Sequence, residues 1–130
     1  MNELLQSLEH WGADTNGALR RVIGDIQFYE QLLRAFSADP SLQELRTAAE
    51  QTHYEEAFRM AHSLKGAAAN LGLTPLATAL TNIVEDLRAV AREKDAGLGD
   101  QERAVLTVDL EVYIETLSEF QTIIRRMPDL

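Results

Sequence analysis

The chain has no cysteine in its 130 residues. That excludes a disulfide framework and a thiol nucleophile, and makes a reducing cytosol the natural setting. Cations are scarce: 12 Lys and Arg stand against 21 Asp and Glu, a formal net charge of −9. A surface that acidic argues against nucleic acid and anionic membranes as partners. Long apolar runs are missing, and none approaches the ~20 residues a membrane span needs. The start, Met1-Asn2-Glu3-Leu4-Leu5, lacks the basic stretch and apolar run of a signal peptide. There is no G-x-x-x-x-G-K-[ST] and no glycine-rich loop before a helix, so no nucleotide site and no kinase activity is expected. No internal repeat or low-complexity tract divides the chain. Its length and ordinary apolar and charged fractions fit one domain over residues 1–130 with a single core. The Met start favours a free-standing protein.

What the sequence does hold is helical periodicity. Leu4, Leu8 and Trp11 mark a short amphipathic helix over 2–11, ended by Gly12. Asp14 is placed to cap a second short helix through Ala18, Leu19, Val22 and Ile23. Asp25 caps the next, with Ile26, Tyr29, Leu32, Leu33 and Phe36 on one face. Asp39-Pro40 is a helix-start signal, and Leu42, Leu45, Ala48 and Ala49 continue the stripe. Residues 25–51 are therefore one kinked helix or two.

Thr52 and Glu55 read as a capping box opening a helix that Gly72 closes as a left-handed residue, with Leu73 for the hydrophobic contact. Thr74-Pro75 starts another, running through Leu76, Leu80, Ile83, Val84, Leu87, Val90 and Ala91. Residues 95–100 form a loop. Over the last segment Leu106, Val108, Leu110, Val112 and Ile114 alternate as in a strand. The longer series Leu106, Leu110, Tyr113, Leu117, Phe120, Ile124 and Met127 repeats at heptad-like spacing, which favours a helix ended by Pro128. Long amphipathic helices with short connections predict an all-α fold: an antiparallel up-and-down four-helix bundle with short N-terminal helices.

One helix stands apart. With about 100° per residue, Ala57, Met60, Leu64, Ala67, Ala68 and Leu71 lie opposite His62 and form a core-facing stripe. Glu55, Phe58, Arg59, Lys65, Gly66 and Ala69 share the near side. His62 thus faces outward, between two cations and beside two residues with almost no side chain. A core role for this histidine is excluded by its placement, and an idle surface role leaves Gly66 unexplained. Glycine in an exposed helix interior costs about 1 kcal/mol relative to Ala, so open space is wanted beside the imidazole.

The run His62-Ser63-Leu64-Lys65-Gly66, followed by Ala67-Ala68-Ala69-Asn70-Leu71-Gly72, closely resembles the signature of histidine-containing phosphotransfer (HPt) domains. The likeness extends over roughly residues 12–126. Its mild departures are the Asp39-Pro40 break and a tail helix rich in β-branched residues. The resemblance implies a helical bundle with an exposed histidine that exchanges a phosphoryl group with the aspartate of a response-regulator receiver domain. On this reading His62 is the nucleophile and Lys65 pairs with the phosphoryl oxygens. Arg59, Gly66 and Ala69 form the receiver-docking surface, and Asn70 is a candidate hydrogen-bonding neighbour. No cofactor is expected on this chain: Mg²⁺ and the acceptor aspartate belong to the receiver. The partners implied are receiver domains, with a hybrid histidine kinase as a further candidate, for a monomeric cytoplasmic carrier that is not itself an enzyme.

Two other classes compete. A bundle that binds a receiver or another signalling partner without carrying phosphate would keep the fold and lose the chemistry, although the intact His62-x-x-Lys65-Gly66 argues against a decayed site. A carboxylate-bridged metal bundle would use Glu50-x-x-His53, but such sites need two of these elements and this chain has one.

Overall fold

The computed structural model describes residues 2–92 and 97–127, with the side chains of residues 91 and 92 excepted. Met1, the side chain of Ala91, the first part of the 95–100 loop and Pro128 lie outside the described residues. Seven α-helices follow in order, with no strand among the described residues: α1 (Glu3–Trp11), α2 (Thr15–Arg21), α3 (Ile26–Ser37), α4 (Ser41–Glu50), α5 (Tyr54–Asn70), α6 (Thr74–Arg92) and α7 (Asp100–Arg125). The all-α expectation holds.

Capping chemistry sets most of the early boundaries. The side chains of Asn2, Asp14 and Asp25 each accept from a backbone N–H in the first turn they precede: Leu4 at 2.7 Å, Gly17 at 3.0 Å and Phe28 at 3.0 Å. Gly12, at φ 115°, ends α1 in the left-handed region. Residues 25–51 form two helices. Pro40 offers no N–H for a continuing ladder, and the Asp39 carboxylate takes the Ser41 N–H at 2.9 Å instead.

The capping box at Thr52 is a correction. Thr52 does not cap α5; it adopts φ 60° and closes α4. Its N–H donates to Ala49 O at 3.2 Å and the His53 N–H to Ala48 O at 2.8 Å, the paired bonds of a Schellman motif. With Gln51 and Thr52 taken up in ending α4, α5 begins after His53 with no side-chain cap.

The tail segment is a helix throughout. Leu106, Leu110, Tyr113, Leu117, Phe120 and Ile124 form its buried stripe. The strand-like alternation arose because Val108 and Val112 point to solvent, 57% and 47% exposed.

The core lies between α5, α6 and α7, with α4 against α5, and α1 and α3 against α7. Two buried tyrosines tie elements together through their hydroxyls. Tyr29 of α3 donates to Leu71 O and Tyr113 of α7 to Leu42 O, each at 2.7 Å. Burial pushes both phenols up, Tyr29 to about 12, with Asp14 adding to the shift and Arg21 opposing it. At Tyr113 the charge of Asp39 adds to burial. Among the described residues no helix is long and apolar enough to cross a membrane.

Candidate functional site

Helix α5 buries Tyr54, Ala57, Ala61, Leu64 and Ala68, with Leu71 just beyond its end. Their mean direction lies roughly 50° away from the point opposite His62 on an ideal wheel. Ala61, beside the histidine in sequence, is therefore fully buried, while Met60 and Ala67 are only partly covered. His62 remains exposed, nearer one edge of the outward face than its centre. Across that edge stands α6, the helix most closely packed on α5.

The other expected site residues fall as follows. Gly66 is exposed, and a methyl group built on its backbone meets no atom within 4 Å among the described residues. Ala69, one turn further, is exposed as well. Lys65 is half-buried, and among the described residues no carboxylate lies within 4.0 Å of its amine. Arg59 is exposed but engaged: its guanidinium donates to Glu55 on the preceding turn at 3.2 Å. Such a pair contributes about 0.3–0.5 kcal/mol, so Arg59 is available at little cost.

Two contacts escaped the sequence reading. The Phe58 ring, half-buried, lies with its centroid 6.0 Å from that of the His62 imidazole at an interplanar angle of 37°. Arg88 of α6 places its guanidinium carbon 5.9 Å from the Phe58 centroid. Its Nε and second amino group donate to the two Glu85 oxygens at 3.2 and 3.0 Å. Phe58 was legible as a near-side residue, whereas Arg88 carries no local signal. Its place beside the site follows from how α6 packs on α5.

The C-terminal end of α5 is closed by residues far upstream. Gly72, at φ 72°, completes the expected Schellman motif, with the Leu73 N–H on Ala68 O at 2.9 Å and Leu73 fully buried. The Asp14 N–H donates to Gly72 O at 2.7 Å. Arg21 donates to the carbonyls of Asn70 at 2.8 Å and Ala69 at 3.4 Å. Asn70 thus enters the network through its backbone oxygen.

Glu50 and His53 fall on either side of the α4–α5 turn, and Glu50 is paired with Arg46 at 2.8 Å. Among the described residues no group of three or more His, Asp or Glu side chains could hold a metal ion.

Comparison with protein-family models matches the Hpt domain over residues 27–123, most of the chain. This chain belongs to the Hpt domain family. Searches of curated proteins and of solved structures returned no match. Hpt domains are phosphocarrier modules of two-component signalling, not enzymes in general, and they interact with receiver domains and kinases. In this Hpt domain the matched range holds all of α4, α5 and α6, including His62. It leaves α1 and α2 outside, and with them Asp14 and Arg21.

Proposed function

We propose that this Hpt domain carries a phosphoryl group on His62, taking it from a receiver-domain aspartyl phosphate and returning it to another receiver. The observation that carries this reading is an exposed imidazole with open space on the next turn at Gly66. A neutral ring nitrogen attacks phosphorus in line, the P–O bond to the receiver carboxylate breaks, and the carboxylate leaves as an anion. Lys65 supplies positive charge for the phosphoryl oxygens in flight, where it stabilises most. Gly66 and Ala69 let the receiver's loops approach, and Arg59 steers its acidic pocket. Mg²⁺ and the second carboxylate come with the receiver. The carrier is read as one domain over residues 1–130, monomeric and cytoplasmic. Its antiparallel four-helix bundle takes the broken pair α3–α4 as one member and α5, α6 and α7 as the others.

Incubation with a panel of phosphorylated receiver domains, followed by mapping of the labelled residue, tests the proposal. His62 is expected to be the single labelled position, in an acid-labile, alkali-stable linkage. His62→Gln should lose the label while its stability stays within about ±0.5 kcal/mol of the parent, as for most surface substitutions. Full labelling of His62→Gln overturns the assignment.

A further inference from the structure

We infer that Phe58, held from α6 by Arg88, is a positioning residue for the His62 imidazole; this rests on the carrier reading above and names what orients its nucleophile. Side chains of an α-helix lean toward its N-terminus. The imidazole therefore tilts away from Gly66 and over the preceding turn, where Phe58 and Arg59 stand. Arg59 is drawn toward Glu55 at 3.2 Å. Phe58 is the neighbour whose ring meets the imidazole, at 6.0 Å between centroids, a separation typical of interacting aromatic pairs.

Phe58 is itself restrained. It is half-buried, and the Arg88 guanidinium lies within cation–π distance of its ring, at 5.9 Å. Arg88 in turn is fixed by two hydrogen bonds to Glu85 on its own helix. The imidazole thus rests on a surface built across two helices, while its Gly66 side is empty. In-line attack needs the ring nitrogen aimed at phosphorus. A ring held near that orientation loses less rotational freedom on reaching the transition state than a freely turning one. The expected contribution is roughly three- to tenfold in rate, the scale for immobilising one side chain.

Potassium phosphoramidate is the probe, because it needs no receiver: its P–N bond breaks, a bond forms from phosphorus to the imidazole nitrogen, and ammonia leaves. Labelling rates are compared for the parent, Phe58→Ala and Phe58→Tyr, beside ¹⁵N spectra of the His62 ring that report its tautomer balance. Phe58→Ala should label three- to tenfold more slowly with altered His62 ring signals, and Phe58→Tyr should restore both. A folded Phe58→Ala with parental ring signals, or with altered signals and a parental rate, overturns the inference. If Phe58→Ala fails to fold, Phe58→Leu keeps the apolar volume and is judged by the same criteria. If the parent takes no label at His62 the carrier reading fails, and the ring signals alone then decide the contact: unchanged signals in the variant overturn it.

Discussion

A methyl group at Gly66 enters empty space, whereas one at Gly72 runs into the backbone oxygen of Asp14. The two glycines of one motif therefore differ in their surroundings: Gly66 faces open space, which the carrier reading assigns to an approaching receiver, whereas Gly72 is held against the chain itself. Gly66→Ala should stabilise the fold by up to about 1 kcal/mol through helix propensity, and Gly66→Leu should also fold well. Yet Gly66→Leu should slow transfer from a phosphorylated receiver while leaving labelling by phosphoramidate, a far smaller donor, close to parental. Thermal melts with both assays decide it. A Leu variant that melts well below the parent means that this face is packed rather than open. The sequence made His62, Lys65 and Gly66 legible because they share one helix, where spacing alone fixes direction. It could not show that Arg88 stands next to Phe58, because that adjacency depends on the packing of α6 on α5. Nor did it show that Arg59 is engaged by Glu55, a partner with several competing rotamers.

Thr52 illustrates the same limit between elements. Its T-x-x-E pattern fits a capping box, but the α4–α5 connection is so short that one residue must reverse the chain. That need places a β-branched residue at φ 60°. Left-handed backbone costs an L-residue about 1–2 kcal/mol, part of which glycine recovers and part of which it loses as unfolded-state entropy. Thr52→Gly should therefore raise stability by about 0.5–1 kcal/mol, seen as a higher denaturant midpoint at unchanged slope. A lower midpoint would mean that the Thr52 side chain makes a compensating contact. Elsewhere the elements were readable where a single period dominated. In α7 the heptad-like series won over the valine alternation because the core sees only one face of the helix. The 25–51 segment stayed open in sequence because an Asp-Pro pair both kinks helices and starts them, and the packing of the two halves decides between these outcomes.

Across the whole bundle, acidity returns in a buried form. Oδ2 of Asp86 on α6 is buried with no hydrogen-bond partner among the described residues, and Asp109 of α7 lies beside the group. Burial first, then Asp109 through a hydrogen bond and its charge, push the Asp86 carboxyl up to about 7. The folded state thus binds a proton that the unfolded chain has released above its ordinary value of 3.8. Stability from this group is unaffected below that value, falls as pH rises toward 7, and stays reduced above it. Asp86→Asn should be more stable than the parent at pH 8, with the difference shrinking as pH falls toward 5. A pH-independent difference would separate Asp86 from the effect.

The upstream closure of α5 bears on how such a module can be exchanged between proteins. The segment that family comparison recognises starts at residue 27, yet the carbonyls of Asn70 and Gly72 also accept from Arg21 and Asp14, upstream of it. A graft cut at that border would keep the Schellman closure of α5, since Gly72 and Leu73 travel with it, but would lose the contacts of Arg21 and Asp14 to the carbonyls of Asn70 and Gly72. The transferable part is larger than the matched segment: it begins no later than Asp14 and α2.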